Sequence, residues 1–430
     1  MHNKLQETIK KYEGYHVHFI ETKKFKTIQF IVKFRSPLHR ETITKRALLP
    51  YILEKGTVNY PTEKSFMRKL DDLYGASLSV DANKQGNHHI INFRLEIANE
   101  KFLPYSEGIT EEALQLLQEV IFHPHITGDC FPEEVVRREK ITLKNEIEAI
   151  TDDKVAFSNK RLIEEMCEKE RFSIATNGYV EDLPFLNEHN MYTYYEQMLQ
   201  DDRVDVYVLG DINAKEMEKK ITHLFDQKKR TSVPVVTEEN VVKKEVKNIT
   251  EIQQIHQAKL HIGYRTNCTL HDEAYAALLL FNGVFGTYPN SKLFQEVREK
   301  ESLAYYATSR LESHKGLLIV MAGIEGAMSE KTKTIIFKQL EAMQQGDFTE
   351  EIVEETKRLY MNDLRETLDH PRGIVELLYQ QTYVAHPWNI DTFMERISDV
   401  TKEEIVKVAN QIELDTVYLL TNEAEVKQDA

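Results

Sequence analysis

Two tetrapeptides, Val206-Tyr207-Val208-Leu209 and Val417-Tyr418-Leu419-Leu420, stand 211 residues apart, and each closes a segment that begins with a helical pattern. A second match of apolar spacing sets Phe66, Met67, Leu70, Gly75 and Leu78 against Leu293, Phe294, Val297, Ser302 and Tyr305, at an offset of 227. Recurrence over about half of a 430-residue chain predicts one structural unit made twice, each copy long enough to bury its own core.

The local patterns fill in that unit. Val17 to Glu21 and Thr27 to Phe34 read as strands. Glu41 to Lys55 reads as a helix with Gly56 as its C-cap. From Ile90 to Ala98, Ile91, Phe93, Leu95 and Ile97 alternate with Asn92, Arg94 and Glu96, the pattern of a half-buried strand. Pro132 to about Thr151 reads as a long helix. Val204 to Leu209 is a short apolar strand whose exit, Gly210-Asp211, opens a helix from Ala214. Residues 227–254 are charged, contain Pro234, and read as the connection between halves, with room for one edge strand. Lys259 to Tyr264 starts the second half as a strand, before a helix ending near Gly286. Helices mixed with antiparallel strands that carry polar outer faces predict an α+β class.

Charge narrows the partners. The net charge of −15 argues against nucleic acid, because phosphate binding needs clustered Lys and Arg; it permits cationic peptides. Cys130, Cys167 and Cys268 are far apart and form neither a disulfide framework nor a zinc knuckle. The opening MHNKLQETIKKYEG has no apolar core, so no cleaved leader is expected, and no run is long enough to span a membrane. A cytoplasmic location is the resulting expectation.

Among the histidines, His16 and His18 flank one strand residue, His88-His89 stands at a strand entry, and His123-Pro124-His125 lies in a turn. None has helical i, i+4 spacing beside a carboxylate, so all are read as surface or packing residues, with His88-His89 able to take a metal fortuitously. Glu139 and Glu146 are seven apart on the long helix, hence on nearly one face and roughly 10 Å apart along the axis.

Five stretches carry a family likeness: ALLPYILEKGT (47–57), REKITLKNEIEAITDD (138–153), VYVLGDINAKEMEKKI (206–221), LLLFNGVFGTYPNSKLFQEVREKESLAYYATS (278–309) and, more softly, VTKEEIVKVANQI (400–412). Over nearly its whole length the chain resembles the pitrilysin/insulinase zinc proteases of the mitochondrial-processing-peptidase type. The resemblance implies two α/β-roll halves, each an antiparallel sheet with helices on one face, related by pseudo-symmetry. The halves are expected at 1–226 and 255–430, joined by 227–254.

In that family a His-x-x-Glu-His helix holds zinc and supplies the general base. Here Ala47, Pro50 and Tyr51 stand at those positions. Ala has no donor atom, a phenol with a pKa near 10 is a poor ligand at neutral pH, and a helical proline costs roughly 3 kcal/mol, so the helix is expected to start later or kink. Glu146 matches the third ligand and Glu139 a neighbouring acid, a remnant unable to hold zinc alone. Arg298 and Tyr305 match a pair that positions substrate from the second half, where a guanidinium and a phenol can donate to a peptide carbonyl. Three departures stand out: Gly286 is the single glycine of a loop that is glycine-rich in the family, Lys292 replaces an Arg, and Glu301-Ser302 replaces Arg-Gly.

The resulting expectation is a zinc-free subunit of a heterodimeric peptidase, inactive alone. It would supply Arg298 and Tyr305 to a zinc-bearing paralogue that cleaves peptides or unfolded segments, with no metal or other cofactor in this chain. The alternative is a catalytically inactive structural or peptide-binding homologue, paired with a second copy of itself. A self-sufficient metalloenzyme with an unfamiliar site is the least favoured reading.

Overall fold

The computed structural model describes residues 6–104, 108–225, 245–384 and 387–423. Most of the stretch read as a connection, 226–244, lies outside the described residues. The chain divides into two compact units, one of 1–149 with 174–238, the other of 150–173 with 239–430.

The first unit is built on six strands: β1 (Gln6–Tyr12), β2 (Tyr15–Glu21), β3 (Thr27–Pro37), β4 (Ser77–Gln85), β5 (His88–Ala98) and β6 (Arg203–Gly210). Their order is β1-β2-β6-β3-β5-β4. All neighbours are antiparallel except β2 and β6, which run parallel, so the sheet is mixed. Register places Phe30 of β3 opposite both Leu95 and Val208. These face the helices Ile43–Leu53, Ile109–Phe122, Glu133–Ala149 and Glu188–Asp201 in one apolar core. Each such side chain contributes roughly 1.5–3 kcal/mol of burial. The alternation on β5 is as the sequence reads, and its polar face runs from exposed Glu96 to Asn92, which is fully buried and accepts from the Lys33 ammonium at 3.0 Å.

The second unit has five strands: β7 (Lys247–Ile252), β8 (Ala258–Arg265), β9 (Ala304–Glu312), β10 (Leu317–Ile324) and β11 (Glu413–Thr421). Their order, β7-β11-β8-β10-β9, repeats β2-β6-β3-β5-β4, including the parallel pair. The two recurring tetrapeptides lie on β6 and β11, equivalent strands. One face of the sheet packs on the helices Tyr275–Asn282, Ser329–Gln345, Glu350–Thr367, Ile390–Asp399 and Lys402–Ala409.

The opposite face is covered by Lys154–Met166, a helix N-capped by the Asp153 carboxylate. Leu162, Met166, Cys167 and Phe172 meet Leu317, Ile319, Tyr418 and Leu420. A Cβ on Gly263 of β8 would collide with the Met166 thioether, so glycine is what admits the helix. Arg265 secures the far end, with bonds of 2.8 Å to Glu170 and 2.8 Å to Asp415. Residues 150–173 thus pack with the second sheet, whereas the sequence reading ran the first half unbroken to 226. The helix's apolar stripe shows that it covers a sheet, not which one. Among the described residues no helix is long and apolar enough to cross a membrane.

Candidate functional site

The helix Ile43–Leu53 starts at Thr42 and carries Pro50 in its interior, so it does not begin later as the proline suggested. Its fixing group is Arg46, fully buried: the guanidinium bonds Asp202 at 2.5 Å, the Phe34 carbonyl at 2.8 Å and His89 Nδ1 at 3.1 Å. His89 in turn donates from Nε2 to the Thr176 carbonyl at 3.1 Å. Burial and the adjacent Arg46 push the His89 pKa down to about 3. Both ring nitrogens are committed, so His89 is a core histidine rather than a fortuitous metal ligand.

Around Ala47 and Tyr51 the chemistry is closed on itself. Ala47 is buried and Tyr51 half-buried. The Tyr51 hydroxyl donates to Glu146 Oε2, and the Asn177 amide approaches Glu146 Oε1 at 3.5 Å. The remnant carboxylate, itself exposed, thus accepts from a phenol and lies within reach of an amide. Glu139, two turns away on the same helix, is buried and takes Arg138 Nε at 2.7 Å, with Lys55 Nζ at 3.8 Å. Glu54 sits beside it, accepts the Val80 N–H at 2.5 Å, and has its pKa raised by burial and by Glu139. Glu139 and Glu146 thus share a helix face but serve separate networks. The residues present at this position do not fit zinc: one carboxylate, a phenol acting as donor, a methyl group and a proline. Among the described residues, the groups of ligating side chains that do converge lie elsewhere, at His16, His18 and Asp205 and at Asp129, Cys130 and His189.

In the second unit Arg298 belongs to the wide helical turn Phe294–Lys300. Its guanidinium lies 4.6 Å from the Phe294 ring centroid and its Nε 3.7 Å from Glu299, with 44% of the side chain exposed. Tyr305 stands on β9, the edge strand, and is 69% exposed. Ala304 pairs with Ile324 and Tyr306 with Gly323, so Tyr305 is the extra residue of a bulge. Bulges of this kind re-aim a side chain at a sheet edge. Ser302, between the two residues, is held at φ 52, a conformation that favours glycine.

Sequence reasoning missed the His16–His18–Asp205 group. The available signal was a His-x-His pair on a strand, which puts both rings on one face; the partner carboxylate comes from a strand nearly two hundred residues away.

Residues 186–360 match the family model described as "Peptidase M16 inactive domain". A curated relative, "Probable inactive metalloprotease YmfF" of Bacillus subtilis (strain 168), is 42% identical over 416 residues, covering 97% of this chain and 98% of its own. A conserved protein from Enterococcus faecalis V583, known from its crystal structure, is 33% identical with a TM-score of 0.91, over 97% of this chain and 99% of that one. The crystal structure of a peptidase M16 inactive domain from Pseudomonas fluorescens superposes with a TM-score of 0.81 at 16% identity, over 97% and 98% of the two chains.

Proposed function

The chain belongs to the peptidase M16 family, as a homologue of its inactive members, and from that premise we propose that it is the zinc-free subunit of a two-chain peptidase. A zinc-bearing paralogue would cut the peptide, and this chain would hold it with Arg298 and Tyr305. The observation that carries the reading is the contrast between the two positions. At the zinc position Tyr51 donates to Glu146 and the ligand set is missing, while Arg298 and Tyr305 offer exposed donors. A guanidinium and a phenol donate to a carbonyl or a developing oxyanion without any metal in this chain. The reading places the pair in the cytoplasm, in keeping with three free thiols.

Peptide hydrolysis by this chain, by the zinc-bearing paralogue and by their mixture tests it. Turnover is expected from the mixture, little from the paralogue, and none from this chain. Turnover by this chain alone, or a mixture no faster than the paralogue, overturns it. A stable self-dimer that retains peptide would instead identify a binding protein.

A further inference from the structure

We propose that the face of β2 and β6 turned away from the helices carries a divalent-metal site of the zinc class, with His16 Nδ1, His18 Nε2 and Asp205 Oδ1 as its protein ligands. The site is separate from Tyr51 and Glu146 and does not depend on the two-chain reading.

The strands set the geometry. β2 and β6 run parallel with His16 opposite Asp205 and His18 opposite Tyr207. The two histidines are two residues apart on a strand, so both rings stand on the same face. His18 Nε2 lies 3.5 Å and His16 Nδ1 3.6 Å from Asp205 Oδ1. Ligand atoms around a tetrahedral zinc with bonds of about 2.1 Å are spaced by about 3.4 Å. Both spacings are too long for good hydrogen bonds and close to what an ion joining each histidine to the carboxylate requires, and the three atoms lie within 4.8 Å of one another.

Tautomer chemistry points the same way. His18 Nδ1 is 2.7 Å from Glu7 Oε1 on β1. An ionised carboxylate only accepts, so Nδ1 carries a hydrogen, and Nε2 presents a lone pair to an entering ion by giving up its own proton. That Nε2 is buried and, among the described residues, has no hydrogen bond of good geometry, with Asp205 Oδ1 3.5 Å away. A carboxylate behind a ligating imidazole is the usual support of a metal-binding histidine, fixing its tautomer and orientation. The Tyr207 ring, stacked at 4.2 Å, holds the imidazole plane. His18 and Asp205 are almost wholly buried, whereas the His16 side chain is 30% exposed and leaves an entry path.

One side chain competes. Arg203 reaches Asp205 Oδ2 with Nε at 3.2 Å, Asp205 Oδ1 with Nη2 at 3.3 Å, and His16 Nδ1 with Nη2 at 3.5 Å. The last two bonds are long, and the side chain is 32% exposed, so it can withdraw to water as an ion enters. Arg203 then acts as a gate that weakens binding by like charge.

Tag-free full-length protein, stripped with chelator, is titrated with Co²⁺ near neutral pH. One equivalent is expected to bind with the strong visible absorption of tetrahedral cobalt, and Zn²⁺ is expected to bleach it. His16→Gln and His18→Gln should lose that signal, and Glu7→Gln should weaken binding by about 10- to 100-fold. Arg203→Gln should tighten it, which no role in packing alone would do, and Glu146→Gln should leave it unchanged. The half-exposed His16 keeps the test readable if the buried His18→Gln fails to fold. No cobalt uptake by the wild-type chain, or uptake equal in His16→Gln and wild type, overturns the site.

Discussion

The two units share a strand order and differ in what lies on the face turned from the main helices. In the first, β2, β3, β5 and β6 place His18, Lys33, Asn92 and Asp205 there, all buried and joined by polar contacts. In the second, the corresponding face carries an apolar cluster under Lys154–Met166, with His261 of β8 buried on the same side. Tyr207 and Tyr418, at matched places in the recurring tetrapeptides, show the split: Tyr207 stacks on His18, and Tyr418 joins an apolar cluster with its hydroxyl on Glu251 at 2.9 Å. The main cores are alike because the inward-facing residues are constrained by packing. The outward faces are free to diverge, and that is where each unit's particular chemistry sits.

A parallel contrast separates the zinc position of the first unit from the Arg298–Tyr305 segment of the second, and it gives the largest expected effect. In a reconstituted pair, Arg298→Ala with Tyr305→Phe should lower kcat by roughly 10²- to 10³-fold, the range for removing oxyanion donors. Steady-state peptide hydrolysis reads this directly. Tyr51→Phe, which frees Glu146 from its donor, should leave the same rate unchanged. Equal losses in both variants would erase the distinction between a position without ligands and one with working donors.

Next comes the covering helix. Gly263→Leu would drive a side chain into Met166 and should destabilise the chain by about 1–3 kcal/mol, with Cys167 becoming reactive to thiol reagents. Cys167 is buried, and burial pushes its thiol pKa up to about 12, so the native chain should react slowly there. A Gly263→Leu chain with unaltered urea midpoint and unaltered Cys167 reactivity would show that the helix is not held on this sheet.

The duplication was legible in the sequence because the matched tetrapeptides lie on equivalent interior strands, β6 and β11, where burial constrains the residues. Ile91, Phe93, Leu95 and Ile97 alternate as a strand must, and the core contains all four. The fate of 150–173 was not legible, since amphipathic spacing names no partner. Nor were β1 and β4, whose polar edge sequences lack a strong apolar alternation. At the zinc position, the missing donors of Ala47 and Pro50 were readable one residue at a time. The Tyr51–Glu146 bond was not, because it joins residues 95 apart. The His16–His18–Asp205 group was hidden for the same reason, as β6 returns beside β2 only in the folded sheet.

A smaller effect separates the units by pH. His261 on β8 is buried with no hydrogen-bond partner at either ring nitrogen among the described residues, and burial lowers its pKa from 6.5 to about 3. The unfolded chain takes up a proton that the folded chain refuses, so the stability is intact above 6.5 and falls as the pH drops towards 3. The loss is roughly 1.4 kcal/mol per pH unit for this one group. His261→Leu should flatten that part of the acid limb in urea melts read from the second unit. His18 has the opposite sign: its carboxylate neighbours Asp205 and Glu7 outweigh burial and raise its pKa, so its contribution is present below the unfolded value and fades as the pH rises past the folded one. An acid limb unchanged in His261→Leu would place the sensitivity in the first unit, with His89 as the group to replace.

The smallest effect tests the repeat at single-residue resolution. Gly75 and Ser302 are matched in the sequence, each just before an edge strand, and both are left-handed, at φ 71 and φ 52. A non-glycine residue pays about 1–2 kcal/mol for that conformation, while glycine pays about 0.5–1 kcal/mol in chain entropy. The difference should make Ser302→Gly more stable by about 0.5 kcal/mol and Gly75→Ser less stable by a similar amount. Neither position demands space, since a Cβ on Gly75 would meet nothing within 4 Å and Ser302 is exposed. Paired urea melts of the two variants isolate the backbone contribution. If both substitutions shift the midpoint in the same direction, the turns before β4 and β9 are not conformational equivalents, and the repeat extends to the strands but not to the turns that feed them.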